Sequence, residues 1–174
     1  MKSRYVADKE LNIILCALMP ANALAVEVSL ATGLRIDDVL SLKADDVAKM
    51  DFTIKEMKTG KRKRVHLGKE LVRDLLSIAG RVYVFEHRTD WRRHRTRQAV
   101  YKDVVRVARM LRLKGVTPHS ARKVYAVRRY AEGRNLKRVQ RLLNHSSEAV
   151  TMIYALADEL SEKQHRSITK LSQK

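Results

Sequence analysis

The sequence predicts an α+β fold that is mainly α-helical, with a small antiparallel β-hairpin on one edge. Three observations carry that expectation. Apolar residues recur at helical spacing through most of the 174 residues. One stretch, 51–67, breaks that period around a Thr-Gly pair and is rich in β-branched residues. Six Gly and two Pro leave little room for long linkers, and the length suits one domain, 1–174, with a real core.

The elements follow in order. Leu11, Ile14, Leu15 and Leu18 line one face of a first helix, which Pro20 ends. Cys16, inside this run, reads as a core thiol. Alanine-rich 21–31 forms a second helix and stops at Thr32-Gly33; a short third, 35–42, turns Val39, Leu40 and Leu42 inward. Strands 51–58 and 61–67 then flank Thr59-Gly60 as the hairpin. Residues 68–80 return to helix, and 81–87 predict a short strand. Thr96 caps a helix through 111 whose buried stripe is Ala99, Val100, Val104, Val107 and Leu111. Thr117 and Pro118 suit the N-cap and first position of a helix that runs to about Glu132 and is closed by Gly133. Asn135 caps 136–145, and Ser146 or Ser147 caps a last helix bearing Val150, Ile153 and Tyr154. From 161 to 174 the chain reads as a mobile tail.

Charge narrows the function. There are 37 Lys and Arg against 19 Asp and Glu, a net +18. Between Glu86 and His145 lie 18 of those basic residues and four acidic ones, so most of the excess is regional. A solvated basic face is the duller reading. Self-repulsion makes so lopsided a charge costly unless an anion neutralises it, and the expected partner is a polyanion. Candidate phosphate contacts are Lys61, Arg62, Arg92, Arg93, Arg95, Arg97 and Lys123.

Other classes are disfavoured. One cysteine cannot form an internal disulfide, which suits a reducing compartment. No apolar run approaches the roughly 20 residues that span a membrane, and the first residues lack a signal-peptide core. A cytoplasmic protein with no membrane partner is expected. There is no HExxH, CxxC, GxGxxG, P-loop or GxSxG pattern, so neither a metal nor another cofactor is expected.

A set of cations remains. His119 and Arg122, three apart at a helix start, share a face. Arg35 follows the Gly33-Leu34 break, Lys58 stands at the hairpin tip, and His145 and Tyr154 are nine apart. Each alone has a plainer explanation as surface, cap or half-buried packing. Together they suit phosphoryl transfer to tyrosine: Arg forks bind non-bridging oxygens, and a Lys or His protonates the leaving oxygen. A phenol with a pKa near ~10 needs such cationic surroundings to act as a nucleophile.

In order, the segments 31–47 (ATGLRIDDVLSLKADDV), 58–67 (KTGKRKRVHL), 117–122 (TPHSAR) and 142–154 (LLNHSSEAVTMIY) resemble the catalytic domain of tyrosine recombinases, the phage-integrase family. The resemblance puts the family's TGLR arginine on Arg35, its supporting acid on Asp38, its hairpin lysine on Lys58, its HxxR pair on His119 and Arg122, and its second histidine and nucleophile on His145 and Tyr154. Ala121, Lys123-Val124 and Asn144 stand where the family usually has Leu, His-Thr and Gly; packing adjustments are the expected consequence. The resemblance implies a site-specific recombinase that cleaves and rejoins double-stranded DNA through a 3′-phosphotyrosine, without metal or other cofactor. It also implies a tetramer on DNA, with accessory DNA-bending proteins as further partners. The family's usual N-terminal DNA-clamping domain is expected to be absent from this chain, as in a fragment or a short recombinase. A type IB topoisomerase-like enzyme and a non-catalytic DNA-binding protein on the same fold are the alternatives.

Overall fold

Asp103, a nearly buried carboxylate, fixes where the central helix begins. Its Oδ2 accepts Met19 N at 2.9 Å and Asn22 Nδ2 at 2.7 Å, and its Oδ1 takes Arg106 Nη2 at 2.6 Å. Burial works against its ionisation, but these donors outweigh it and hold the carboxyl below the usual carboxylate range. The computed structural model in which these contacts occur describes residues 3–144.

Helix α1 (Asp8–Ala17) buries Leu11 and Ile14 and ends just before Pro20. That proline is the first residue of α2 (Pro20–Thr32), where its missing N–H costs nothing. Helix α2 is buried on several sides and packs against α1 as well as against α3 (Ile36–Leu40), α5 (Lys69–Ser77), α6 (Arg97–Met110) and α7 (His119–Gly133). A one-turn helix, α4 (Ala44–Val47), leads into β1 (Asp51–Lys55) and β2 (Arg62–His66). These strands pair antiparallel with Phe52 opposite Val65 and Ile54 opposite Lys63. Phe52 and Val65 close the core on the hairpin's inner face. Helix α8 (Leu136–Leu142) is held by a small separate cluster, Val139 and Leu143 against Tyr125 and Ala126 of α7.

Several expectations change. Cys16 is exposed rather than a core thiol, because it sits two positions from both Ile14 and Leu18 and therefore on the opposite side of α1. Ala99 is exposed as well, while Val100, Val104 and Val107 form the buried stripe of α6. The strand expected over 81–87 reduces to a bridge between Tyr83 and Lys43 and to β3 (Glu86–His87), which pairs with β4 (Asp90–His94) in a second hairpin. The αL position after α7 belongs to Arg134 (φ 48°), not Gly133, which stays helical; the Arg134 guanidinium lies 5.7 Å from the Tyr130 ring centroid. Pro118 occupies the N-cap position assigned to Thr117. The caps on Thr96 and Asn135 form as expected, each side chain accepting a backbone N–H three residues on.

Candidate active site

The corner between α2 and α3 is stitched by its own polar side chains. Ser29 Oγ donates to Leu34 O at 2.8 Å, and Thr32 Oγ1 donates to Val28 O at 2.6 Å while accepting Leu34 N. Gly33 supplies the reversal at φ 68°, with its N–H on Ser29 O. A side chain there has no room: a Cβ on Gly33 would lie 2.4 Å from the Tyr125 ring. The corner delivers Arg35, in extended conformation, to the N-cap of α3, and Asp38 to the buried side of that helix.

The β1–β2 turn packs against this corner. Glu56, 1% exposed, accepts Arg35 Nη1 at 2.9 Å, and Met57 N donates to Asp38 Oδ1 at 2.8 Å. Lys58 is exposed on the next position. From α7, Arg122 reaches beneath both: its Nη1 donates to Gly33 O at 2.6 Å and its Nη2 to Leu143 O at 2.5 Å. Lys63, inward on β2, donates to Thr32 O at 2.8 Å and Leu142 O at 2.6 Å.

Four of the sequence candidates therefore share one cleft of about 870 Å³: Arg35, Lys58, His119 and Arg122, with Asp38 on its wall. Arg97 and Tyr101 of α6 complete its rim. Cations outnumber acids in this lining, so the cleft attracts an anion. Burial raises the Asp38 carboxyl above its ordinary value, helped by Glu56 and opposed by the Met57 bond and the nearby guanidiniums. Burial also opposes ionisation of Glu56, but the Thr59 hydroxyl, Arg35 and Arg122 prevail and hold it low. Lys63 is brought down to about 8 by burial and by Arg122.

Of the candidate phosphate contacts, Arg97 lines the cleft and is ion-paired with Asp37 at 3.4 Å. Lys61, Arg62, Arg92 and Arg93 are exposed and Arg95 is half-buried, on or beside the two hairpins, while the Lys123 ammonium is engaged by Ser3 O. His145 and Tyr154 lie outside the described residues. Among the described residues, no three His, Cys, Asp or Glu side chains converge, and no helix is long and apolar enough to cross a membrane. Two residues escaped the sequence reading, Glu56 and Lys63. The strand period could have found them, since both fall on the inward-facing positions that Phe52 and Val65 define.

Residues 5–160 match the family described as the phage integrase family. The chain belongs to that family. Its phage-integrase relatives include the probable integrase/recombinase YoeC of Bacillus subtilis (strain 168), 29% identical over 134 residues that cover 74% of this chain and 73% of YoeC. The tyrosine recombinase XerD of Listeria monocytogenes serotype 4b (strain F2365) is 30% identical over 155 residues, 79% of this chain and 50% of XerD. The chain thus spans about half the length of that relative. Its fold matches that of a lambda integrase tetramer bound to a Holliday junction, with TM-score 0.73 and 21% identity over 88% of this chain and 48% of the other. At that identity the likeness speaks for the phage-integrase catalytic fold alone.

Proposed function

We propose that this chain is the catalytic part of a site-specific tyrosine recombinase. The observation that carries the reading is the convergence of Arg35, Lys58, His119 and Arg122 on one cationic cleft from three separate elements. Membership of the phage integrase family supports it, and so does the lambda integrase neighbour, which is bound to a Holliday junction.

In this reading a scissile phosphate enters the cleft and Arg35 binds a non-bridging oxygen. Arg122 supplies positive charge from beneath, and His145 donates a further hydrogen bond. The Tyr154 oxygen attacks phosphorus, its proton passing to His119, and the bond from phosphorus to the 5′-oxygen breaks as Lys58 protonates that oxygen. The products are a 3′-phosphotyrosine and a free 5′-hydroxyl. Attack by a 5′-hydroxyl from a partner strand reverses each step, so the ester conserves the bond energy. Lys61, Arg62, Arg92, Arg93, Arg95, Arg97 and Lys123 contact the backbone of double-stranded DNA, and the working assembly is a tetramer.

The test offers the chain a pool of nicked duplexes with a randomised core and looks for a covalent protein–DNA adduct on a denaturing gel. Adduct from the wild type and none from Tyr154→Phe is the expected result. An equal adduct from both, or none from the wild type, counts against the proposal.

A further inference from the structure

Arg35 and Lys58 come from different elements, yet a phosphate clamp and a proton donor must keep a fixed separation while they act. The two residues immediately before Lys58 provide the connection. Glu56 takes Arg35 Nη1 on its carboxylate, and Met57 N–H reaches Asp38, three residues further along the same turn of chain as Arg35. Lys58 is next in sequence, so its backbone is referenced to the arginine's own helix at two points.

Glu56 is also bound from the other side of the turn. Thr59 Oγ1 donates to its Oε2 at 2.7 Å, its N–H donates to Lys61 O at 2.9 Å, and its carbonyl accepts Gly60 N at 2.8 Å. The whole loop 56–61 closes on this one residue, with Lys58 inside it. Chemistry says why an acid is worth burying here. An ionised carboxylate at 1% exposure is costly unless paired and hydrogen-bonded, and Glu56 has both an ion pair and a hydroxyl donor. An apolar residue would fill the same space without gripping Arg35.

We infer that Glu56 is a positioning residue: it locks the tip of the β1–β2 hairpin to Arg35 and thereby aims Lys58 at the leaving oxygen. This rests on the reading of Lys58 as the proton donor given above.

The experiment measures cleavage of two nicked duplexes carrying a core recovered from the randomised pool. One has the ordinary 5′-bridging oxygen. The other has sulfur at that position, whose thiolate departs without a proton. Lys58→Ala calibrates the pair, slow on oxygen and restored on sulfur. Glu56→Gln is expected to lose about tenfold or more on the oxygen duplex and to recover most of it on sulfur. A wild-type rate on oxygen, or an equal loss on both duplexes, overturns the inference. If Lys58→Ala itself loses equally on both, the role of Lys58 fails and the inference with it. Should Glu56→Gln not fold, Thr59→Val removes a donor from the same carboxylate at a half-buried turn position; it must show the same split in smaller measure, and its absence is equally decisive.

Discussion

Gly33→Ala places one methyl group at the point where the site is assembled. The backbone there has φ 68°, which costs an L-residue roughly 1–2 kcal/mol. The added carbon would also stand 2.4 and 2.5 Å from two atoms of the Tyr125 ring. Tyr125 is 6% exposed and has little room to withdraw, so overpacking adds about 1–3 kcal/mol. The expected loss is about 2–5 kcal/mol. Gly60→Ala separates the two contributions. Its φ is 65°, but its nearest neighbour is Lys55 Cε at 3.9 Å, so only the backbone cost of about 1–2 kcal/mol applies. Urea unfolding of both variants against wild type gives the comparison. Equal destabilisation of the two would show that Tyr125 yields freely and that the collision carries no energy. The same substitution moves the carbonyl that Arg122 holds at 2.6 Å, so under the proposed function covalent adduct formation by Gly33→Ala should fall even where the protein remains folded.

Two further expectations concern the ends of the helices near the cleft. Lys63 has a folded pKa of about 8 against 10.5 unfolded, so between those values the unfolded chain holds a proton that the folded chain has released. Stability therefore rises with pH across that window, by at most about 3 kcal/mol. The difference in urea midpoint between wild type and Lys63→Met should slope with pH from 8 to 10.5, and a flat difference would show that Lys63 titrates normally. Asn144 sits at φ 49°, in the region that Asn tolerates and β-branched residues do not. Asn144→Val should cost about 1–2 kcal/mol, with Asn144→Gly within about 1 kcal/mol of wild type. Matching melting temperatures for Val and Gly would contradict this account.

Helices α2, α6, α7 and α8 and the first hairpin were legible because their apolar period, their caps or both are written locally. The second hairpin was not. Strand β4 is Asp90–His94, and none of its side chains is buried, so no hydrophobic alternation betrays it. It is held instead by backbone pairing and by contacts such as the edge-on packing of His94 against Tyr83, with ring centroids 5.4 Å apart. In the site, the cations were legible as residue types at characteristic places, and Arg35, Lys58, His119 and Arg122 do share one cleft. Their supports were harder to see. Lys63 occupies an inward strand position and Glu56 the buried position just past the end of β1, but a charge in such a place announces only that a partner exists. That the partners are Arg35 in one case and the carbonyls of Thr32 and Leu142 in the other depends on how α2, α8 and the hairpin meet.

Those carbonyls have an electrostatic consequence. Thr32 and Gly33 end α2, and Leu142 and Leu143 end α8, where unpaired C=O groups gather the negative pole of each helix macrodipole. Lys63 and Arg122 sit on those two poles and take one carbonyl from each. Fractional backbone charge therefore does much of the work of counterions for these two cations. It permits their close approach without cancelling their charge as carboxylates would. Asp38 and Glu56 stand close enough to both side chains to temper their charge, yet the cleft that Arg122 lines still holds more cations than acids.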